Sequence, residues 1–291
     1  MPKIVKSSAT PVKKTTAKKT GGVLSRISDV ELPEAISMLI YGGSGTGKTR
    51  TVSTFPGKIL HIICSGGKQS GELRSVSVEA RKKIKQIKPE NGAEVLELMG
   101  MLREDDGDIY KTVALDHVSG FQDLILAEIL GRPVPEQKSW GLCTREQWGI
   151  CTGRCKGILR ELLDLSINRV LLGQEKTGEP SEDSELECPY VGVALVPSLA
   201  GWLYPECDYI CQTFKRGRRE KIVSTIGKGP KATVLESWKK LPGVEYCARI
   251  GPHSEVTTKW RVPEGCDLPD SIVDPSHEKF MTIINGEGWP C

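Results

Sequence analysis

Short apolar runs alternate with longer stretches of helical period along this chain, and the alternation predicts a succession of parallel strands and covering helices. The first run, Ile36–Tyr41, stops at a glycine-rich segment. Lys58–Cys64 has the same short, continuous apolar character of a buried strand, and the polar stretch Ser65–Gly71 behind it predicts a loop. Residues Ala93–Arg103 place Val95, Leu96, Leu98, Met99 and Leu102 on a helical period, and Tyr110–Asp116 returns to strand character and closes on an acid. A helix is predicted over Phe121–Leu130, stopped by Gly131-Arg132-Pro133, and a long amphipathic one over Thr144–Leu165. Asn168–Gly173 reads as a fourth strand delivering Gln174, and Thr177–Glu187 as an acidic loop. Val196–Tyr204 predicts a short helix, Asp208–Phe214 a fifth strand and Lys215–Arg219 a basic turn from which Lys221–Thr225 folds back as a hairpin. Val244–Ile250 and Glu255–Val262 are further strand candidates, followed by a proline-punctuated tail and a helix over His277–Ile284.

Composition adds an asymmetric charge distribution. The formal net charge of +3 conceals a leader in which Lys3, Lys6, Lys13, Lys14, Lys18 and Lys19 stand without one acid, leaving −3 on the rest. The leader has too little apolar content to fold, so residues 1–22 are expected to form a disordered basic arm and residues 23–291 the folded domain. Such an arm either neutralises nucleic-acid phosphates or simply keeps the chain soluble. No apolar run approaches the roughly 20 residues of a membrane span, and no secretory apolar segment opens the chain, so a cytoplasmic protein without a membrane is expected. Of the ten cysteines, Cys151/Cys155 and Cys207/Cys211 have four-residue spacing. That spacing suits core packing better than a zinc knuckle, which keeps two residues between its ligands.

The segment behind the first strand reads Gly42-Gly43-Ser44-Gly45-Thr46-Gly47-Lys48-Thr49, a complete Gly-x-x-x-x-Gly-Lys-Ser/Thr phosphate loop. Its glycines let consecutive backbone N–H groups turn inward to phosphate oxygens. Lys48 supplies a mobile positive charge, the Thr49 hydroxyl is placed for Mg²⁺, and a helix opening at Thr49 adds its N-terminal partial charge. Candidate nucleotide-binding residues are therefore Gly42, Gly43, Ser44, Gly45, Thr46, Gly47, Lys48, Thr49 and Arg50, with ATP and Mg²⁺ as expected cofactors. Asp116, ending an apolar strand in register behind that loop, has the Walker B arrangement and is the second candidate metal ligand. Gln174 either senses a γ-phosphate or merely closes its strand.

An Asn-Lys-x-Asp guanine reader and a Leu-Ser-Gly-Gly-Gln transporter signature are both absent, and His117 stands where many helicases and AAA+ motors carry a glutamate after the acid. The order of Gly42–Thr49, Thr112–Asp116, Trp148, Gly173-Gln174-Glu175-Lys176 and Lys259-Trp260-Arg261, with Leu268-Pro269 and Asp274-Pro275, resembles RecA-like ATPases, especially short phage-encoded members that assist single-strand annealing. The resemblance spans roughly residues 33–284. It implies an α/β RecA-like P-loop NTPase fold, a mostly parallel sheet flanked by helices with C-terminal antiparallel hairpin strands. It also implies Mg-ATP binding, ring or filament self-assembly, single-stranded DNA as partner and a single-strand binding protein as a further one. Gln174 becomes the γ-phosphate sensor by that likeness, and Lys259 and Arg261 resemble cations that reach a neighbour's nucleotide, unless both are merely solvated. The family's water-orienting glutamate after the second strand is missing, since Cys64-Ser65-Gly66-Gly67 stands there, and Glu72 and Glu175 are the substitutes. The expected activity is ATP hydrolysis tied to single-stranded DNA in recombination or repair. Its alternatives are a nucleotide-dependent switch read by a protein partner and a small-molecule phosphotransferase.

Overall fold

The computed structural model describes residues 35–64, 72–131, 143–178, 190–226 and 233–287. The basic arm, the boundary at residue 23, the Ser65–Gly71 loop and most of the Thr177–Glu187 loop lie outside them. The described residues build strands β1 (Ser37–Gly42), β2 (Lys58–Ile63), β3 (Ile84–Ile87), β4 (Tyr110–Asp116), β5 (Asn168–Gly178), β6 (Tyr190–Val193), β7 (Tyr209–Ile226), β8 (Thr233–Arg249) and β9 (Ser271–Val273). Helices are α1 (Lys48–Val52), α2 (Val78–Lys82), α3 (Gly92–Asp105), α4 (Val118–Leu130), α5 (Arg145–Leu163), α6 (Pro197–Glu206) and α7 (His277–Ile284).

One sheet runs β3-β2-β4-β5-β1-β7-β8-β9, with β6 added antiparallel to the end of β5. The pairs from β3 to β7 are parallel, and β7, β8 and β9 pair antiparallel. The expected α/β fold, a mostly parallel sheet flanked by helices with antiparallel strands following, is present. β1 is buried at every position because both faces are covered. Leu39 and Tyr41 join the layer beneath α3, α4, α5 and α6, whereas Met38 and Ile40 join the opposite layer with Val52, Phe55 and Phe280.

Local chemistry explains the clearest elements. α5 begins at a reciprocal capping box in which the Thr144 side chain accepts from the Gln147 N–H and the Gln147 side chain accepts from the Thr144 N–H. Asn91 caps α3 by accepting from Glu94 N–H, and Ser276 caps α7 by accepting from Lys279 N–H. Cys151 and Cys155, one turn apart on α5, are buried in the core, as are Cys207 and Cys211.

Four expectations need correction. Lys215–Arg219 is not a turn but the middle of the 18-residue β7, which continues straight through Lys221–Thr225. Its charge reads as a turn because the outer half of the β7–β8 hairpin leaves the core and needs no apolar alternation. Glu255–Val262 forms only isolated bridges, Val256 with Val191 and Lys259 with Ile210, while the last strand is the short β9 further on. β3 and α2 went unpredicted because an edge strand of four residues interleaved with Lys85 and Gln86 carries too short a pattern. α1 is a single turn, so the loop's own N–H groups and Lys48, more than a helix dipole, supply positive character there.

The carboxyl-terminal helix is locked by aromatic packing: Trp260 sits between Tyr209 and Phe280, with ring centroids at 5.1 and 5.5 Å. Phe280 is fully buried, so Phe280→Ala is expected to destabilise the protein by about 3–5 kcal/mol, measured as a lowered urea midpoint. An unchanged midpoint would show that α7 is not part of the cooperative core.

Candidate functional site

The phosphate loop leaves β1 at the carboxyl edge of the sheet. Gly45 and Gly47 hold φ of 70° and 95°, the left-handed region that glycine adopts without strain. Thr46 fastens the loop, its hydroxyl donating to the Gly43 carbonyl at 2.8 Å and meeting the Thr213 hydroxyl of β7 at 2.8 Å. The Lys48 ammonium is buried and donates to the carbonyls of Gly42 and Gly43 at 2.8 and 2.9 Å. A cavity of about 420 Å³ opens beside it, lined by Ser44 to Arg50, by Ser75 and by Tyr246. The open glycine cradle, a buried ammonium and an adjacent hydroxyl on Thr49 fit a nucleotide's phosphates.

Asp116 lies at the end of β4, in register with Leu172 of β5, which is level with Ile40 of β1. Two strand spacings, about 10 Å, therefore separate it laterally from the phosphate-loop strand. Its Oδ2 meets His61 Nε2 at 3.0 Å, and His61 Nδ1 lies 3.2 Å from the Gln86 side-chain amide, so the imidazole orients the carboxylate from beneath. Thr49 and Asp116 are the residues that would hold Mg²⁺. Among the described residues there is no cluster of three or more His, Cys, Asp or Glu able to hold a metal on its own.

Gln174 is the register partner of Gly42, directly beside the root of the loop. Cys64, where the resemblance leads one to expect a glutamate, donates its backbone N–H to the Asp116 carbonyl at 2.6 Å. Burial and the neighbouring Asp116 carboxylate push its thiol up to about 12, so it is neither base nor nucleophile near neutrality. Glu72 opens a 3-10 turn, Glu72–Ser75, that packs beside α1. Glu175 is placed more tellingly. Its Oε1 lies 2.9 Å from the point a Cβ on Gly43 would occupy, and its Oε2 accepts from Gln212 Nε2 at 3.0 Å.

Lys259 and Arg261 are not gathered at this loop. Lys259 pairs with Ile210, near the opposite end of β7, and its ammonium donates to the carbonyls of Tyr204, Pro205 and Cys207 where α6 ends. That ammonium holds a helix terminus. Arg261 is exposed at the same end of the sheet.

A family model described as an AAA domain matches residues 34–262. The chain belongs to the AAA-domain family. No curated protein matches it. Membership makes this a P-loop ATPase-type domain, and the matched span contains the loop, Asp116, Gln174 and the whole of β7 and β8. His117, after the acid, caps α4 by accepting from the Gly120 N–H at 2.8 Å, so the position where many AAA+ motors carry a base is used here to start a helix. Among the described residues no helix is long and apolar enough to cross a membrane.

Two neighbours of this AAA domain's loop come from residues that sequence reasoning placed elsewhere. Lys215 Nζ lies 3.8 Å from the position of a Cβ on Gly45, and the Tyr246 ring lies 3.2 Å from that on Gly47, with the Arg50 guanidinium 5.6 Å from the ring centroid. Lys215 and Tyr246 are cross-strand partners, so the hairpin reaches the loop as one unit. Local pattern carries no signal for this, because the contact depends on β7 lying beside β1. Replacing Lys48 with Ala is expected to weaken ATP binding by about 2–5 kcal/mol, read by titrating a fluorescent ATP analogue; unchanged affinity would mean that the cradle does not hold phosphates.

Proposed function

We propose that this AAA domain hydrolyses Mg-ATP and does so in response to single-stranded DNA, in the manner of the RecA-like proteins of recombination and repair that its sequence resembles. The observation that carries the reading is the hairpin, whose inner half touches the phosphate loop while its outer half presents a basic face. Arg219 opposite Lys240 and Lys221 opposite Trp238 share one side of the outer ribbon. The Arg219 guanidinium stacks over the Trp238 ring at 4.4 Å, and Trp238 is 54% exposed. Three cations around an exposed aromatic ring suit phosphate contact plus base stacking. Trp260, by contrast, is committed to the core and offers no platform.

At the loop, Lys48 and Lys215 are the cations available to phosphate oxygens, and Gln174, within β5, stands level with Gly42 at the loop's root. Mg²⁺, when bound, neutralises phosphate charge and fixes the oxygens for in-line attack. Glu175 is the carboxylate best placed to take a proton from the attacking water, because it reaches the loop from the strand between β1 and β4. Arg261, exposed and remote from this chain's own loop, is the residue available to a neighbouring copy in a ring or filament.

A second reading has its own support: Ile222, Val223 and Val244 are exposed on the same hairpin and would suit a protein partner that reads the nucleotide state. The two readings part on one measurement. ATP turnover with and without oligothymidylate should rise with the oligonucleotide, and Trp238→Ala should weaken its binding by about 1–3 kcal/mol in an anisotropy titration at low salt. No binding and no stimulation by the wild-type chain would leave the partner-reading switch. Glu175→Gln should slow turnover by about 10²- to 10⁴-fold while retaining ATP-analogue affinity; wild-type turnover in that variant removes Glu175 as the base.

A further inference from the structure

A second cavity, of about 350 Å³, lies at the foot of the hairpin, walled in part by Phe214, Arg216, Arg219, Arg249, His253 and Asp270. Three guanidinium groups converge on it with unequal partners. Arg216 is neutralised by Glu245 at 2.9 Å, and Glu245, though burial raises it, is held below the usual carboxylate range by the Arg219 N–H and the Arg216 guanidinium. Arg219 stacks on Trp238. Arg249 meets no carboxylate among the described residues: its guanidinium lies 4.9 Å from the Phe214 ring centroid and donates one N–H to the neutral Gln212 Oε1 at 2.9 Å. A partly buried positive charge with neutral partners, facing an open cavity, is completed by an anion with paired oxygens.

The same Arg249 begins a chain of side chains that ends at the phosphate loop. Gln212, buried, accepts from Arg249 and donates through Nε2 to Glu175 Oε2 at 3.0 Å, while Glu175 Oε1 stands against Gly43. Because β1 lies between β5 and β7, these groups cross over it where the chain leaves the sheet for the loop. We propose that the cavity is a phosphate-binding site for the backbone of a single-stranded polynucleotide, and that its occupancy is transmitted to the ATP site through Arg249, Gln212 and Glu175. The proposal rests on the DNA reading above. Arg219 lines the cavity and also stacks on Trp238, so the site continues the basic face of the outer ribbon. A phosphodiester oxygen that draws the Arg249 N–H away from Gln212 loosens the amide and so the N–H occupying Glu175. The carboxylate then has a lone pair for water at the loop.

The test uses the full chain with oligothymidylate, inorganic phosphate, and the variants Arg249→Met and Gln212→Met. Oligonucleotide affinity is measured across a salt series, ATP turnover with each ligand, and thermal unfolding midpoints for all three proteins. Arg249→Met is expected to lower the log–log salt slope by about one and to lose most of the stimulation. Gln212→Met is expected to bind the oligonucleotide like the wild type and yet lose the stimulation, a split that a merely structural role would not produce. A wild type that fails to bind oligothymidylate overturns the DNA reading. A wild type that binds and is stimulated, with Arg249→Met matching it in slope and stimulation, overturns the cavity alone. Turnover raised equally by inorganic phosphate overturns the polynucleotide assignment. If Arg249→Met does not fold, stimulation retained in a folded Gln212→Met overturns the transmission.

Discussion

Where β1 gives way to the phosphate loop, a Cβ on Gly42 would lie 2.2 Å from the Thr213 carbonyl oxygen, closer than any side chain tolerates. Only glycine allows β7 to run this close, and the arrangement of the nucleotide site depends on that approach. Gly42 is in register with Thr213 on one side and Gln174 on the other, so the end of β1 is flanked at one height by β7 and β5. The Thr213 hydroxyl then fastens the loop through Thr46 and the Tyr41 carbonyl. With β7 seated there, its continuation carries Lys215 past Gly45, and its partner β8 lays Tyr246 along Gly47.

The charges around the loop follow from the same seating. Lys48 occupies the carbonyls of Gly42 and Gly43, satisfying a buried ammonium that would otherwise be costly. Phosphate oxygens would offer that ammonium charge-assisted hydrogen bonds, stronger than those to the two carbonyls. Asp116 lies two strands away, at the end of β4, where its carboxylate meets the His61 imidazole at 3.0 Å. β5 fills the space between and carries Gln174 and Glu175 on consecutive positions, hence on opposite faces of the sheet.

The loop and Asp116 were legible in the sequence because their chemistry demands particular residues at contiguous positions or at the end of an apolar run. α5 was legible for a similar local reason, a long helical period, while the capping box that starts it came only from the structure. Glu175, Gln212 and Arg249 form a chain only through the pairing of four strands, β5, β1, β7 and β8, and no window of the sequence contains more than one of them. Lys215–Arg219 misled because charge density is a turn signal in a strand that packs on a core and no signal at all in a ribbon that leaves it. Trp238 was missed for the same reason, whereas Trp260, which neighbours two cations in sequence, is partly buried against the core. Lys259 shows that a basic residue near a strand end is as readily a cap for a helix terminus as a reagent for a neighbour's phosphate.

The hairpin joins two regimes of stability. Beyond the irregularity between Gly217 and Arg219 most of its described side chains are exposed, and a two-stranded ribbon of that kind is marginal by itself. Before that point β7 and β8 belong to the sheet, with Thr213, Cys247 and Ala248 buried. A ligand on the outer half can order the ribbon, but its free energy reaches the phosphate loop only through groups that straddle the boundary. Glu245 is one, because it accepts from Arg216 on the inner half and from the Arg219 backbone on the outer. Arg249 and Gln212 lie just inside it, facing the loop's other wall through Glu175. Lys215 and Tyr246 also lie inside it and stand beside the loop at Gly45 and Gly47. The hairpin therefore approaches the loop along two separate routes, one beside Gly45 and Gly47 and one through hydrogen-bonded side chains at Gly43, so a displacement of β7 and β8 would be felt at both ends of the phosphate cradle.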